Sequence, residues 1–224
     1  MSRTERTATK APARVLIVDD HPVVREGLAA QLATEPDLEL CGEAEDIAGA
    51  LTLIESSRPD VVIIDISLKS GNGIDLVKRI RARNDTVRLL VWSMYLESHY
   101  AERALRAGAQ GYVHKGRATR EILDALRAVL AGKVYLSGDQ ADRLLQRLVS
   151  GQTMDRSPIE NLSDRELEAF ELMGQGLSTE QVAETMHISP KTVETYRARI
   201  KEKLGLNTIT ELVHQAAWWV FKNA

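Results

Sequence analysis

Five short aliphatic runs alternate with segments of helical periodicity between residues 14 and 133, and this alternation constrains the fold more than any other feature. Each run is rich in Val, Ile and Leu and ends at polar residues, which is the pattern of a buried strand. Because strands and helices alternate, we predict an α/β domain, a (βα)5 doubly wound parallel sheet with helices on both faces. The predicted strands are Arg14–Val18, Glu39–Cys41, Val61–Ile64, Val87–Val91 and Gly111–Val113, and the predicted helices are Pro22–Ala33, Asp46–Ser56, Gly73–Arg83, Glu97–Ala107 and Thr119–Ala131.

The chain changes character after a polar stretch with Gly and Pro at residues 150–158, which indicates a linker. No strand-like run follows, and four helices are predicted. Their starts are indicated by two capping-box patterns and a proline at a first helical position, namely Ser163 with Glu166, Ser178 with Gln181, and Ser189-Pro190. The predicted organisation is a disordered tail at 1–13, an α/β domain at 14–131, a linker with a helix at 132–157 and an all-α four-helix domain at 158–224.

Composition argues against several classes of protein. The longest apolar runs are shorter than a membrane span, and the polar first residues lack the apolar stretch of a secretory signal. The single cysteine, Cys41, allows no intramolecular disulfide. We therefore expect a cytoplasmic protein that does not insert into a membrane.

Polar side chains with complementary chemistry follow four of the predicted strands. Asp19 and Asp20 follow the first strand, Asp65 the third, Ser93 the fourth and Lys115 the fifth. Ligands of parallel sheets bind at this edge, and crowded carboxylates there favour a hard divalent cation. A carboxylate can accept a phosphoryl group as an acyl phosphate, while a metal and a lysine neutralise the phosphoryl oxygens. Singly, these residues could be a helix cap, a turn residue or solvated polar groups, but their shared edge favours phosphoryl chemistry.

Four segments, Val15–Gly27 (VLIVDDHPVVREG), Val61–Asp65 (VVIID), Val91–Met94 (VWSM) and Ala107–Lys115 (AGAQGYVHK), resemble receiver domains of the NarL/FixJ family, which have a flavodoxin-like fold. The resemblance implies that Asp65 is the phosphoacceptor. It implies Mg²⁺ bound by Asp20, Asp65 and the main-chain carbonyl of Ser67, with Asp19 acting through water. It further implies that Lys115 binds the phosphoryl group and that Ser93 and Tyr112 form a conformational switch.

Two positions depart from the family pattern. The family commonly has a proline where this chain has Lys69, which alters the loop near the predicted metal site and adds a cation close to it. Many receiver domains also have a proline where this chain has Gly116, immediately after Lys115.

The segment Leu162–Gly205 resembles LuxR-type helix-turn-helix domains throughout. Periodicity alone predicts two packed helices, with Val182, Ala183 and Met186 facing inward on one and Val193, Ile200 and Leu204 on the next. The stretch from residue 190 to 203 carries a net charge of +3, whereas the whole chain carries −3. A local basic helix on an acidic body is typical of a DNA contact.

The resemblance implies a recognition helix that enters the major groove of double-stranded DNA. Glu194, Thr195 and Ala198 are then expected at base edges, and the phosphate contacts are expected from Lys191, Thr192, Tyr196, Arg197 and Lys201. In this family the last helix helps the domain to form a homodimer. The five histidines are scattered without metal-ligand spacing, and we assign them no chemistry.

Three functions are compatible with these features. The favoured one is a DNA-binding response regulator, phosphorylated at Asp65 by a sensor histidine kinase and active as a homodimer, with no enzymatic activity beyond self-catalysed phosphotransfer. An aspartyl-phosphate phosphatase usually has a second aspartate where Ser67 stands, and no cap domain is evident. The third is an interaction module that is never phosphorylated. The intact set of Asp19, Asp20, Asp65, Ser93 and Lys115 argues against it, because such a module does not require these residues.

Overall fold

The computed structural model of the chain describes residues 11–83, 86–149 and 158–223. Its main feature is a five-stranded parallel sheet in the order β2-β1-β3-β6-β7. A short antiparallel hairpin, β4 and β5, follows β3. The strands are β1 (Ala13–Val18), β2 (Leu38–Ala44), β3 (Val61–Ile64), β4 (Ser67–Leu68), β5 (Gly71–Asn72), β6 (Arg88–Ser93) and β7 (Gly111–His114).

Five helices cover the two faces of this sheet: α1 (Pro22–Leu32), α2 (Ile47–Ser57), α3 (Gly73–Arg83), α4 (Glu97–Ala107) and α5 (Thr119–Leu130). Leu28 of α1 and Leu126 of α5 belong to the core on one face, whereas α2, α3 and α4 contribute to the core on the other. The predicted α/β class and doubly wound sheet are confirmed. The hairpin of β4 and β5 was not predicted because two-residue strands show no periodicity, and β2 is longer than the sequence suggested.

The remainder of the chain is helical, as predicted. It consists of α6 (Gly138–Val149), a 3₁₀ turn (Pro158–Asn161), α7 (Asp164–Gly174), α8 (Thr179–Thr185), α9 (Pro190–Leu204) and α10 (Ile209–Asn223). Both capping boxes are present, and the Ser189 hydroxyl accepts from the amide of Thr192 at the start of α9. Most of the predicted tail, residues 1–10, and the last part of the predicted linker, residues 150–157, lie outside the described residues, as does residue 224.

The predicted packing of α8 on α9 is confirmed. Val182, Ala183, Met186, Val193 and Ile200 are all buried, and Leu204 is half-buried. The central helix of this part is α7, whose Phe170 is fully buried and packs on Trp219 of α10. Within the described ranges, no helix is both long and apolar enough to cross a membrane.

The α-helical part packs on the α/β part along α7. Asp164, the first residue of α7, pairs with Lys78 of α3 and Arg103 of α4, at 2.8 and 3.0 Å. On α10, the Trp219 ring lies 4.1 Å from the ring of His99. The core on the α2, α3 and α4 face of the sheet and the core of the α-helical part form one cluster of buried apolar side chains, so the chain is in a docked arrangement.

Candidate functional site

An acidic pocket forms where β1 and β3 end. Val18 pairs with Ile64 in the sheet, so the residues that follow these strands lie side by side. Asp19, Asp20 and Asp65 are all buried, and their carboxylates cluster closely enough to hold one metal ion. The ammonium of Lys115, after β7, lies 2.5 Å from Asp19 Oδ2 and 2.6 Å from Asp65 Oδ2. The sequence prediction that these strand ends converge is therefore correct.

Five of the six carboxylate oxygens in this pocket have a hydrogen-bond donor. Besides Lys115, the amide of His21 donates to Asp19 Oδ1 and the amide of Ile66 to Asp65 Oδ1. Asp20 Oδ2 is 3.0 Å from Nε2 of His187. Asp20 Oδ1 is buried and has no hydrogen-bond partner in the described part of the chain, although Nδ1 of His21 is 2.7 Å away.

The electrostatics of the pocket favour a cation. Burial raises the pKa of Asp65, Lys115 opposes that rise and the charge of Asp19 adds to it. Burial lowers the pKa of Lys115, but the attraction of Asp65 and Asp19 outweighs it and the net shift is upward. Three carboxylates against one ammonium leave an excess of negative charge, and a buried oxygen without a donor is free to bind a metal. These residues therefore fit a hard divalent ion with oxygen ligands.

The other predicted members of the site surround this pocket. Ser93, at the end of β6, is buried and its Oγ has no hydrogen-bond partner among the described residues. Tyr112 of β7 is fully buried, and its hydroxyl donates to the carbonyl of Tyr95 at 2.6 Å. Ser67 begins β4, two residues after Asp65.

The loop after Asp65 turns closely over that residue. Gly73 donates its amide to the carbonyl of Ile66, and a Cβ at this glycine would lie 1.9 Å from the carbonyl oxygen of Asp65. Only glycine fits such an approach without moving the backbone of Asp65. At Lys69, where the family commonly has proline, the ammonium pairs with Glu45 at 2.8 Å. At Gly116 the preceding peptide bond is trans, as are the others in the described residues.

Sequence reasoning missed two histidines and a buried glutamate. We assigned the histidines no chemistry, yet His187, in the turn between α8 and α9, contacts Asp20 and His21 contacts both Asp19 and Asp20. Glu168 of α7 is fully buried between the two parts of the chain. It accepts hydrogen bonds from Asn72 at 3.0 Å and from Tyr95 at 3.2 Å, and pairs with Arg165 at 2.9 Å.

The predicted DNA-contacting residues all lie on α9, and their side chains differ in how exposed they are. Lys191, Glu194, Thr195 and Ala198 are exposed in the docked arrangement, and Thr192 and Lys201 are half-buried. Tyr196 packs against the core. The side chain of Arg197 is only 16% exposed; it pairs with Glu194 at 2.7 Å and contacts the sulfur of Met173 at 3.4 Å. The outer face of α9 thus remains accessible while the domain is docked.

Both halves of the chain match known families. Residues 15–127 match the family described as "Response regulator receiver domain", and residues 160–216 match "Bacterial regulatory proteins, luxR family". The chain is a response regulator of the NarL/FixJ family. This response regulator is 35% identical to the DNA-binding transcriptional activator DevR/DosR of Mycobacterium tuberculosis, over 88% of this chain and 91% of the relative. It is 33% identical to the response regulator GacA of Pseudomonas aeruginosa, over 89% and 92% of the two chains.

The fold of this response regulator is also that of solved relatives. RcsB of Salmonella enterica serovar Typhimurium, bound to promoter rprA in the presence of phosphomimetic BeF3⁻, is 25% identical with a TM-score of 0.62, over 92% of this chain and 98% of that one. A LuxR-family response regulator from Aurantimonas is 36% identical with a TM-score of 0.57, over 62% of this chain and 99% of that one.

Proposed function

We propose that this response regulator controls transcription in a phosphorelay two-component system, in which a sensor histidine kinase phosphorylates Asp65. The observation that carries the proposal is the Lys115 ammonium, 2.6 Å from Asp65 and 2.5 Å from Asp19 in a pocket that also holds Asp20. A nucleophilic carboxylate beside a fixed cation is what phosphoryl transfer to the protein requires.

In the proposed reaction, a carboxylate oxygen of Asp65 attacks the phosphorus of a phosphohistidine. A new O–P bond gives an acyl phosphate, and the P–N bond breaks with its electron pair left on the histidine nitrogen. Lys115 neutralises the phosphoryl oxygens. Ser93 Oγ, which is buried and has no hydrogen-bond partner among the described residues, donates a hydrogen bond to one of them. The chain's own chemistry is limited to this self-catalysed transfer.

The proposed cofactor is Mg²⁺. Asp20 and Asp65 would hold it directly, Asp19 through a water molecule and Ser67 through its main-chain carbonyl. When bound, Mg²⁺ would neutralise the excess negative charge of the pocket and of the incoming phosphoryl group. The buried Asp20 Oδ1 without a donor supports this assignment.

The proposed output is sequence-specific binding of double-stranded DNA in the cytoplasm by a homodimer. Glu194, Thr195 and Ala198 are the proposed base contacts. Lys191, Thr192 and Lys201 are stronger candidates for phosphate contacts than Tyr196 and Arg197, whose side chains are engaged within the domain. The relative DevR/DosR is a DNA-binding transcriptional activator, which supports this output.

The phosphoacceptor is tested with acetyl phosphate and Mg²⁺, by following the phosphorylated chain on a phosphate-affinity gel. We expect wild type to shift and Asp65→Asn not to shift. Asp124→Asn, at an exposed aspartate on α5, is the matched control and is expected to shift like wild type. Phosphorylation that persists in Asp65→Asn contradicts the proposal.

A further inference from the structure

We propose that the docked DNA-binding domain and the divalent cation compete for Asp20, and that His187 is the competing group. The inference rests on the proposed function, because it takes the acidic pocket as the cation site. It adds a role for the DNA-binding domain inside the receiver's own metal site: docking lowers the affinity for the cation, and the cation loosens docking.

His187 reaches the pocket from the turn between α8 and α9. Its Nε2 lies 3.0 Å from Asp20 Oδ2, although the two residues are 167 positions apart in the chain. The backbone of His187 has a φ of +53°, in the left-handed region that is unfavourable for a residue other than glycine. The chain therefore has a histidine at a turn position that favours glycine, and its imidazole meets a buried carboxylate of the other domain.

His187 is the only hydrogen-bond partner of the Asp20 carboxylate among the described residues, and Nδ1 of the exposed His21 lies 2.7 Å from the other oxygen of that carboxylate. Asp19 and Asp65 are each held by Lys115 and by a backbone amide, but no such donor serves Asp20. A buried carboxylate without a donor or a cation is strongly unfavourable. In the docked form the His187 imidazole supplies a hydrogen bond to Asp20 Oδ2. In the open form a bound cation can take its place.

The contacts that hold His187 in place lie outside the pocket. Asp164 pairs with Lys78 and Arg103, and Glu168 accepts from Asn72 and Tyr95, so α7 fixes the domain independently of Asp20. Docking and cation binding are consequently two equilibria that share one carboxylate. By linkage, each reduces the affinity of the other by the same factor.

The experiment uses the full chain and Mn²⁺ as the probe, with free Mn²⁺ measured by electron paramagnetic resonance and Mg²⁺ added as competitor. His187→Gly removes the imidazole and suits the left-handed turn, so the turn is retained. We expect its Kd for Mn²⁺ to be about five- to tenfold lower than that of wild type. His214→Ala is the control. This histidine of α10 is not one of the clustered residues of the acidic pocket, so the Kd of the variant for Mn²⁺ should equal that of wild type.

A second variant separates docking from the chemistry of the histidine. Asp164→Ala removes both ion pairs to the receiver without changing the pocket, and it should also lower the Kd for Mn²⁺. In wild type, Mg²⁺ should increase hydrogen exchange of the amides of α7, which reports on docking directly.

Three outcomes overturn the inference. An unchanged Kd in both His187→Gly and Asp164→Ala means that docking and cation binding are independent. A higher Kd in His187→Gly means that the imidazole is a ligand of the ion rather than its competitor. Absence of Mn²⁺ binding in wild type and all variants overturns the proposed cation site itself, whereas an unchanged Kd leaves that site intact.

Discussion

At the scale of single residues, two glutamates on α7 determine how the domains meet. Glu168 is fully buried, and burial raises its pKa despite the pairing with Arg165. Glu171, one turn later, is buried beside Tyr100 of α4, and burial raises its pKa to about 7, with the Tyr100 hydroxyl opposing the rise and Glu168 adding to it. Docking therefore buries a carboxyl group that holds its proton near neutral pH.

We expect docking to weaken as the pH rises from about 4.5 to about 7, the ordinary and the docked pKa of Glu171. Within that window the docked form keeps the proton that the open form has lost, so the docking constant falls by up to about tenfold per pH unit from this group. Above that window the contribution is constant. Fluorescence transfer between labels on the two domains would measure the docking constant.

Glu171→Gln isolates this contribution, because Glu168, whose pKa burial also raises, responds to pH as well. The variant should keep a shallower pH dependence than wild type across the same window. Equal slopes for the two proteins would contradict the assignment to Glu171.

The residues of the acidic pocket could be predicted because each follows a recognisable strand. Asp19, Asp65, Ser93 and Lys115 meet for the reason the sequence indicated, since the ends of parallel strands share an edge. Glu168 and His187 could not be found this way. Their partners are 96 and 167 positions away, and the contact depends on how two folded domains pack.

At the scale of secondary-structure elements, α7 has two structural roles. It is the central helix of the DNA-binding domain, and it carries the charged contacts to α3 and α4. Its start is fixed by a capping box, in which Ser163 Oγ accepts from the amide of Glu166 and the Glu166 carboxylate accepts from the amide of Ser163.

Ser163→Ala should destabilise the DNA-binding domain by about 1 kcal/mol, because one amide of the first turn loses its acceptor. Urea unfolding followed by circular dichroism measures the change. Ser56→Ala, at an exposed serine within α2, is the control and should leave the stability nearly unchanged. An equal effect of the two substitutions would show that the cap contributes nothing specific.

The residues on the outer face of α9 are predicted to differ in their effects on DNA binding. Lys191→Ala should weaken binding on all sequences and reduce the salt slope by about one unit, because one phosphate contact is lost. Thr195→Ala should instead change the base preference and leave the salt slope unaltered. Lys133→Ala, an exposed cation of the α/β domain, should change neither. Titration of labelled DNA at several salt concentrations distinguishes these cases.

Elements could be predicted where the sequence pattern is long enough. The limits of α3 and α4 agree with the prediction, and all three serine caps of the α-helical domain are present. The hairpin of β4 and β5 could not be predicted, since strands of two residues are too short to show an alternation of apolar and polar side chains.

At the scale of the whole molecule, hydrogen bonds connect Tyr112, one of the two proposed switch residues, to the docked domain. The Tyr112 hydroxyl donates to the carbonyl of Tyr95, and the Tyr95 hydroxyl donates to Glu168. Asn72, which also binds Glu168, lies in the hairpin that follows Asp65. Movement at Asp65, the proposed phosphoacceptor, would therefore act on two of the contacts that hold α7.

We expect phosphorylation to open the molecule, because displacement of Tyr112 and of the hairpin weakens the hold on Glu168. Small-angle X-ray scattering should give a larger radius of gyration after treatment with acetyl phosphate and Mg²⁺ than with Mg²⁺ alone. In Asp65→Asn the two radii should be equal. If acetyl phosphate leaves the radius of gyration of wild type unchanged, phosphorylation does not separate the two domains.

The exposed outer face of α9 has a consequence for how such regulators diverge. The side chains that hold the domain in place lie on α7, in the turn at His187 and at Trp219, whereas Lys191, Thr195 and Ala198 touch none of these contacts. After gene duplication, substitutions on α9 can give a copy a new set of promoters while its response to phosphate is inherited intact. Substitutions on α7 can change how readily phosphorylation opens the docked form, while the set of promoters stays the same.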